Sequence, residues 1–326
     1  MGIYWACVEE SRSFPVMAGF GWLSENKTGS MSLVGQPKSF LAHFAFMPMT
    51  AFTVDRIADT AQCFTEPLEG LGKALPLDMV LVPGGSFEMG SPDSEPERQD
   101  TEGPQHPVSL PSFFMGRYPV TQAQWRAVCA LNQIGIELPA EPSRFKGDNR
   151  PVERVSWYEA VEFCKRLSEA TERPYTLPTE SQWEYACRAN TTTPFAFGKT
   201  LTTEIVNYDG NYTYNGGPKG ECREETTDVN AFDVANAFGL YDMHGNVDEW
   251  CEDHWHSNYE DAPTDGSAWL TDDENASRVI RGGSWSDFPW YCRSATRLYH
   301  TPDDRFNGFG FRVCCRAPRT LQLPTS

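Results

Sequence analysis

The sequence predicts an α+β domain with much irregular loop structure, and three observations lead there. Two segments, opening at Ser156 and at Thr179, begin with a hydroxyl residue followed three positions later by Glu or Gln and carry apolar residues at helical spacing. Residues 79–91, MVLVPGGSFEMGS, read as a strand, a Pro-Gly-Gly turn and a second strand, a hairpin signal. From Thr192 onward, short apolar runs alternate with long connections rich in Gly, Asn, Asp and Pro, and connections that long in a compact domain usually carry function.

In chain order, residues 1–76 form an N-terminal extension of unknown role whose apolar and aromatic content argues against disorder. Its uncharged run from Ser39 to Val54 contains Pro48 and falls short of the ~20 apolar residues of a membrane-spanning helix, so it is expected to be buried in the protein. The domain proper is expected over 77–317, followed by a tail at 318–326. The turn glycines of the hairpin are not a phosphate loop, because no Gly-Lys-Ser/Thr and no helix follow them. Residues 91–107, SPDSEPERQDTEGPQHP, are acidic and Pro-rich and read as a solvated surface loop. TQAQWRAVCA, residues 121–130, is expected to be helical. In SWYEAVEFCKRLSEA, Ser156 and Glu159 make a capping box, and Trp157, Ala160, Val161, Cys164 and Leu167 share one face. In TESQWEYACRA, Thr179 and Gln182 make another, with Trp183, Ala186 and Cys187 inward. On such faces Cys164 and Cys187 read as small core residues and not as nucleophiles.

Composition narrows the function classes. The formal net charge is -18, so most of the surface repels the nucleic-acid backbone and anionic membranes, and neither is expected as a partner. The opening MGIYWACVEESRS has no Lys or Arg before Arg12, unlike a secretory signal, and Ala6 stands where a myristoylation signal needs Ser or Thr; a cytoplasmic location is expected. The ten cysteines include no Cys-x-x-Cys pair, and reduced thiols without a structural zinc site are the expectation.

Seven blocks then stand in order: MVLVPGGSFEMGS, YPVTQAQW, RPVERVSWYEAVEFC, TLPTESQWEYACRA, NAFGLYDMHGNVDEW, RVIRGGSW and GFGFRV. Together they resemble the sulfatase-modifying-factor family, whose best-known member is the formylglycine-generating enzyme. The resemblance covers about residues 78 to 317 and implies a C-type-lectin-like fold of the formylglycine-generating-enzyme type; it does not by itself imply the activity. That enzyme uses two cysteines after its Gly-Gly-Ser block as soft ligands for copper. Counted from Gly282-Gly283-Ser284, the two positions fall on Asp287 and Cys292, so one thiolate is missing and Cys292 is left to pack or hydrogen-bond. A second branch, the ergothioneine-type sulfoxide synthases, binds iron through three histidines of a helical bundle. The six histidines here are His43, His106, His244, His254, His256 and His300, and the N-terminal part supplies only His43. His254 and His256, at spacing two on one strand face, read either as a weak metal pair or as ordinary surface residues. The resemblance also implies a structural calcium held by Asp242 and Glu249 carboxylates with the Gly245 and Val247 carbonyls. The alternative is that Asp242 and Glu249 cap turns; no other cofactor is expected.

A third branch shares this fold: the variable proteins of diversity-generating retroelements, in which error-prone copying at adenines randomises chosen codons near the C-terminus. The resemblance lies in a fixed frame, here Gly282 to Trp285, Pro289, Cys292 to Ala295, Arg297, Pro302-Asp303, Arg305 and Gly310 to Arg312. Between the fixed residues lie Ser286, Asp287, Phe288, Trp290, Tyr291, Thr296, Leu298, Tyr299, His300, Asp304, Phe306, Asn307 and Gly308. Free replacement of the adenines in a pyrimidine-ending Asn codon reaches every residue type in that set except Trp. It never reaches Lys, Glu, Gln or Met, and none of these four occurs between Trp285 and Gly308. Tyr, Trp and Phe interleaved with Ser, Asn, Asp and Gly make the chemistry of an antibody-like binding face. A core would favour Val, Ile and Leu, of which only Leu298 occurs between 286 and 308. The expectation is a ligand-binding variable protein with segment 286–308 as its recognition surface and a protein or peptide as its ligand. A family enzyme with displaced catalytic groups, or a non-diversified accessory module, are the competing readings.

Overall fold

Each strand of this chain is short, so the fold is set by which strands find one another. The computed structural model describes residues 13–17 and 56–317; the expectations placed on Ser39–Val54, the opening residues and the 318–326 tail lie outside the described residues. Strands β1 (Ser13–Met17) and β2 (Arg56–Thr60) pair antiparallel. There follow β3 (Cys63–Glu66), β4 (Leu77–Val82), β5 (Gly85–Met89), β6 (His106–Leu110), β7 (Phe113–Gly116), α1 (Gln122–Cys129), α2 (Trp157–Thr171), β8 (Tyr175–Thr176) and α3 (Glu180–Arg188). The C-terminal part adds β9 (Asp248–His254), β10 (Arg278–Arg281), β11 (Leu298–His300), β12 (Phe309–Gly310) and β13 (Cys314–Arg316). A five-stranded sheet runs β3-β4-β7-β13-β8, a four-stranded sheet runs β11-β10-β9-β12, and β5 pairs with β6.

The larger sheet is buried on both faces. Successive side chains of a strand point to opposite faces, so Leu77 and Met79 of β4 enter one apolar core while Val80 and Val82 enter the other. Phe114 on β7 joins the first core, and its neighbours Phe113 and Met115 join the second. Helices α1 and α2 cover the first face, with Trp125 stacked on Phe163 at 5.7 Å and edge-on to Phe311 at 6.0 Å. Helix α3 covers the second through Trp183, Ala186 and Cys187. All three helices open with capping boxes, built by Thr121 with Gln124, Ser156 with Glu159 and Thr179 with Gln182. Cys164 and Cys187 are core residues, burial pushing the Cys187 thiol up to about 12.

Two expectations change. The strands on either side of Pro83-Gly84 form, but not as a hairpin: β4 has both edges taken by β3 and β7, and β5 pairs only with β6 in another sheet. Residues before 77 also enter the domain's sheet, since β3 lies antiparallel to β4 with Cys63 opposite Val80. Among the described residues no helix is long and apolar enough to cross a membrane, and the described cysteines are free.

Trp125→Ala removes a fully buried indole from the stacked group on α1. The expected loss is about 3–5 kcal/mol, read as a lower urea midpoint; a loss under about 1 kcal/mol would mean that the site collapses to fill the space.

Candidate functional site

The segment after β10 begins with two glycines in the left-handed region, Gly282 at φ 106° and Gly283 at φ 70°. A Cβ at Gly283 would stand 2.8 Å from Cys292 Sγ, so the turn needs glycine for both conformation and space. Beyond it the chain divides by burial. The fixed-frame residues Ser284, Pro289, Cys292 to Ala295, Arg297, Pro302 and Gly310 to Arg312 are buried, Trp285 is half-buried, and Asp303 and Arg305 are exposed. Of the interleaved residues, Ser286, Tyr299 and Phe306 are exposed and Asp287, Phe288, Trp290, Tyr291, Leu298, His300, Asp304 and Asn307 are half-buried.

The frame is held by arginines. Arg293 donates through Nη1 to Glu95 at 2.7 Å and Glu102 at 2.8 Å, through Nη2 to Glu102 at 2.6 Å and the Glu97 carbonyl at 2.8 Å, and through Nε to the Trp290 carbonyl. Arg297 grips Glu180 with Nε at 2.6 Å and Nη2 at 2.9 Å, and donates to the carbonyls of Thr101 and His256. Arg281 pairs with Glu184 and with the Thr296 carbonyl, and Arg312 pairs with Glu249. The acidic loop 91–107 is therefore not simply solvated. Its Glu95 and Glu102 are buried beneath the segment because Arg293 compensates them, burial pushing Glu95 up while Arg293 opposes the shift.

Asp287 turns inward: its Oδ2 accepts from the Ser284 amide at 2.8 Å and hydroxyl at 2.6 Å. Burial and the neighbouring Asp287 carboxyl push Asp248 well above the usual carboxylate range. Burial, then Asp287 and Asp248, push the Cys292 thiol well above its ordinary value, so it is held as a thiol. His244 is kept neutral by burial, which lowers it to about 4; its Nδ1 donates to the Cys292 carbonyl at 2.7 Å while Nε2 accepts from the Ala196 amide. At the position where the resemblance implies a second cysteine, Asp287 caps a turn and adds to burial in disfavouring the Cys292 thiolate.

The aromatics fall into groups. Phe288 and Trp290 meet at 4.7 Å, with Tyr291 within 6.2 Å of Phe288, beside the short 3-10 turn Pro289–Cys292. Phe306 and His300 meet at 5.4 Å, and His300 Nδ1 donates to Asp304 Oδ2 at 3.1 Å. Trp285 links the two stretches, its Nε1 donating to the Asn307 carbonyl at 2.9 Å while its ring packs on Phe145. Four expected positions stand elsewhere than on one outward face. Thr296 is 1% exposed, its hydroxyl donating to the Trp290 carbonyl, so it supports the loop and displays nothing. Gly308 is buried against Ser284, where a Cβ would meet Oγ at 2.9 Å. Tyr299, half exposed, alternates to the opposite face of β11 from Leu298 and His300 and stacks on Trp255 at 4.5 Å, while Leu298 packs against the first core. Tyr212 was not singled out by the sequence, yet its ring lies 4.1 Å from Phe288. The Tyr-, Asn- and Gly-rich stretch NYDGNYTYNGG was the available signal.

The set expected to hold calcium does not fit that ion. Both Glu249 oxygens accept from Arg312, at 2.6 and 2.7 Å, and Oε2 also accepts from Trp183 Nε1. A divalent cation there would face a buried guanidinium. Asp242 accepts from the Asn230 amide, burial raising it to about 6, the Gly245 carbonyl accepts from the Val247 amide, and Val247 itself is fully buried. The two histidines do not act together either: His254 Nδ1 accepts from the Thr271 amide, and His256 stacks on Trp269 at 3.6 Å. Among the described residues no group of three or more His, Cys, Asp or Glu is arranged to hold a metal ion.

Comparison with known proteins places this geometry. The model of the sulfatase-modifying factor enzyme 1-like domain matches residues 70–317. A formylglycine-generating enzyme of Thermomonospora curvata is 30% identical over 294 residues, covering 74% of this chain and 93% of that protein. An inactive C-alpha-formylglycine-generating enzyme 2 of Bos taurus is 29% identical over 297 residues, covering 76% and 91%. Among solved structures, PvdO from Pseudomonas aeruginosa superposes with TM-score 0.63 at 33% identity over 78% of this chain and 99% of that one. Treponema denticola variable protein 1 superposes with TM-score 0.60 at 24% identity, again over 78% and 99%, a likeness of fold.

Arg293→Ala strands Glu95 and Glu102 as buried uncompensated charges and should cost about 3–5 kcal/mol in urea unfolding, partly recovered by adding Glu95→Gln and Glu102→Gln. A single-variant loss under about 1 kcal/mol would show the network to be solvated. Glu153, whose Oε1 accepts from the Phe145 amide beneath Trp285, is pushed by burial from 4.5 to about 7. Between those values the folded chain holds a proton that the unfolded chain has released, so this group lowers stability as pH rises from about 4.5 to about 7. Glu153→Gln should remove that slope, its melting temperature gaining on the parent across the same window; parallel curves would sink the assignment.

Proposed function

Because the chain belongs to the sulfatase-modifying factor enzyme 1-like domain family and has its α+β, C-type-lectin-like fold, we propose that it is a ligand-binding member displaying a diversified C-terminal recognition surface, as the variable proteins of diversity-generating retroelements do. The observation that carries this reading is the division of residues 282–312 by burial: most of the frame is buried and tied to Glu95, Glu102 and Glu180, while most interleaved positions reach solvent. A surface built to vary needs that arrangement, because variable side chains must not carry the fold. The recognition set is Ser286, Phe288, Trp290, Tyr291, His300, Asp304, Phe306 and Asn307, with Tyr299 on the other face of its strand. The ligand is a protein or peptide, since half-exposed aromatics among small polar residues suit a broad interface better than an enclosed substrate. Copper-dependent oxidation is disfavoured by chemistry: a buried Cys292 thiol beside Asp287 offers one hard and one protonated group where two soft thiolates are required.

The decisive experiment is the DNA downstream of the gene. A second copy of the codons for 282–312, differing only where it carries adenine, is the expected result; no such copy would leave segment 286–308 an ordinary loop, and turnover dependent on Cys292 would favour the enzyme. At the protein level, simultaneous randomisation of Ser286, Phe288, Trp290, Tyr291, Phe306 and Asn307 should leave cooperative unfolding within about 1 kcal/mol of the parent. The same treatment of Cys292, Arg293, Ser294 and Ala295 should abolish it. Equal tolerance at both sets would remove the distinction on which the reading stands.

A further inference from the structure

Tyr212 belongs to a loop far from the interleaved positions in sequence, yet 44% of it is exposed and its ring completes their aromatic group, 4.1 Å from Phe288 and 6.0 Å from Trp290. The loop is positioned by main-chain bonds from the Asp209 amide to the Asp287 carbonyl at 2.9 Å and from the Gly220 amide to the Gly210 carbonyl at 2.8 Å. On its other side the Tyr214 hydroxyl donates to the Pro96 carbonyl at 2.8 Å, which brings in the acidic loop. Asp209, Asp287 and the exposed Glu97 and Glu221 are thus carried by the stretches that meet at these rings. Seven other aromatic rings have an arginine of the chain over them. Among the described residues none stands over Tyr212, Phe288, Trp290 or Tyr291. The nearby Arg223 is committed to Glu221 at 3.1 Å, to the Thr203 carbonyl at 2.9 Å and to the ring of Phe232.

We propose that Tyr212, Phe288 and Trp290 form an anchor for a cationic side chain, Lys or Arg, of a protein or peptide partner, with Tyr212 a constant element supplied from outside the diversified segment. Aromatic faces attract a cation directly, and Tyr212 leaves 44% of its surface exposed to one. Carboxylates on the flanking stretches, within a chain of net charge -18, steer such a partner in and repel acidic ones. The anchor rests on the reading of 286–308 as a binding face and specifies what that face takes.

The test titrates the full chain with a Gly-Arg repeat peptide and a Gly-Glu repeat of equal length, following the Trp290 indole resonance. The arginine peptide should shift that resonance saturably, with weaker binding at raised salt, while the glutamate peptide leaves it unmoved. Tyr212→Ala should weaken binding about 3- to 30-fold and Tyr212→Phe should keep it. No shift with the arginine peptide, or equal shifts with both peptides or in Tyr212→Ala, overturns the anchor. A parallel selection of displayed peptides on the same chain separates the two readings. Acidic or neutral peptides that bind through Trp290 and Phe306 would sink the cation anchor and keep the binding face; peptides indifferent to Trp290→Ala and Phe306→Ala would sink both.

Discussion

The placement of Arg293 is the constraint on which the C-terminal architecture depends. A buried guanidinium is costly unless its donors are all met, and here Nε and both terminal nitrogens find partners on Glu95, Glu102, Glu97 and Trp290. The three glutamates come from a loop nearly two hundred residues earlier, so the loop and the segment fix one another. Arg297 and Arg281 extend the same logic through their shared neighbour Glu180. The result is a layer of paired charges that ties the acidic loop and α3 to the segment bearing the half-buried and exposed aromatics.

That layer separates the bonds that hold the fold from the side chains that the proposed surface would vary. None of its bonds uses the side chain of Ser286, Phe288, Trp290, Tyr291 or Phe306; the layer takes only the Trp290 carbonyl, which any residue supplies. Thr296 marks the opposite case. Its carbonyl receives Arg281 and its hydroxyl closes on Trp290, so its side chain is part of the support. Asp287 is intermediate: half-buried, it caps the turn at Ser284 and adds to the effect of burial in raising Asp248 and Cys292.

What was legible in the sequence was local. The caps at Ser156 and Thr179 were readable because the cap and its partner lie three residues apart, while the same box at Thr121 was found only in the structure, and the ordered family blocks carried the fold. Pairing between distant segments was not readable: β4 and β5 look like a hairpin until β3, β6 and β7 claim their edges. The acidity of 91–107 was visible, but not that Glu95 and Glu102 are pulled beneath Arg293. Family resemblance pointed Glu249 at calcium, and only the structure brings Arg312 to both of its oxygens. Codon logic marked the segment from 286 to 308 and by construction was blind to Tyr212, which reaches the same face from a loop that bears no such mark.

The position of β13 has a consequence for the order in which the molecule assembles. This C-terminal strand sits between β7 and β8 in the interior of the five-stranded sheet, and the bond from Arg293 to Glu95 closes a loop of 198 residues. Contacts of such range are the slow ones in folding. The sheet cannot close until the strand beyond residues 286–308 has been synthesised, and β10 and β12 bound that stretch at its two ends. A chain that ends early therefore leaves a gap in the middle of its own sheet. Closure of that sheet thus requires a chain that already carries residues 286–308.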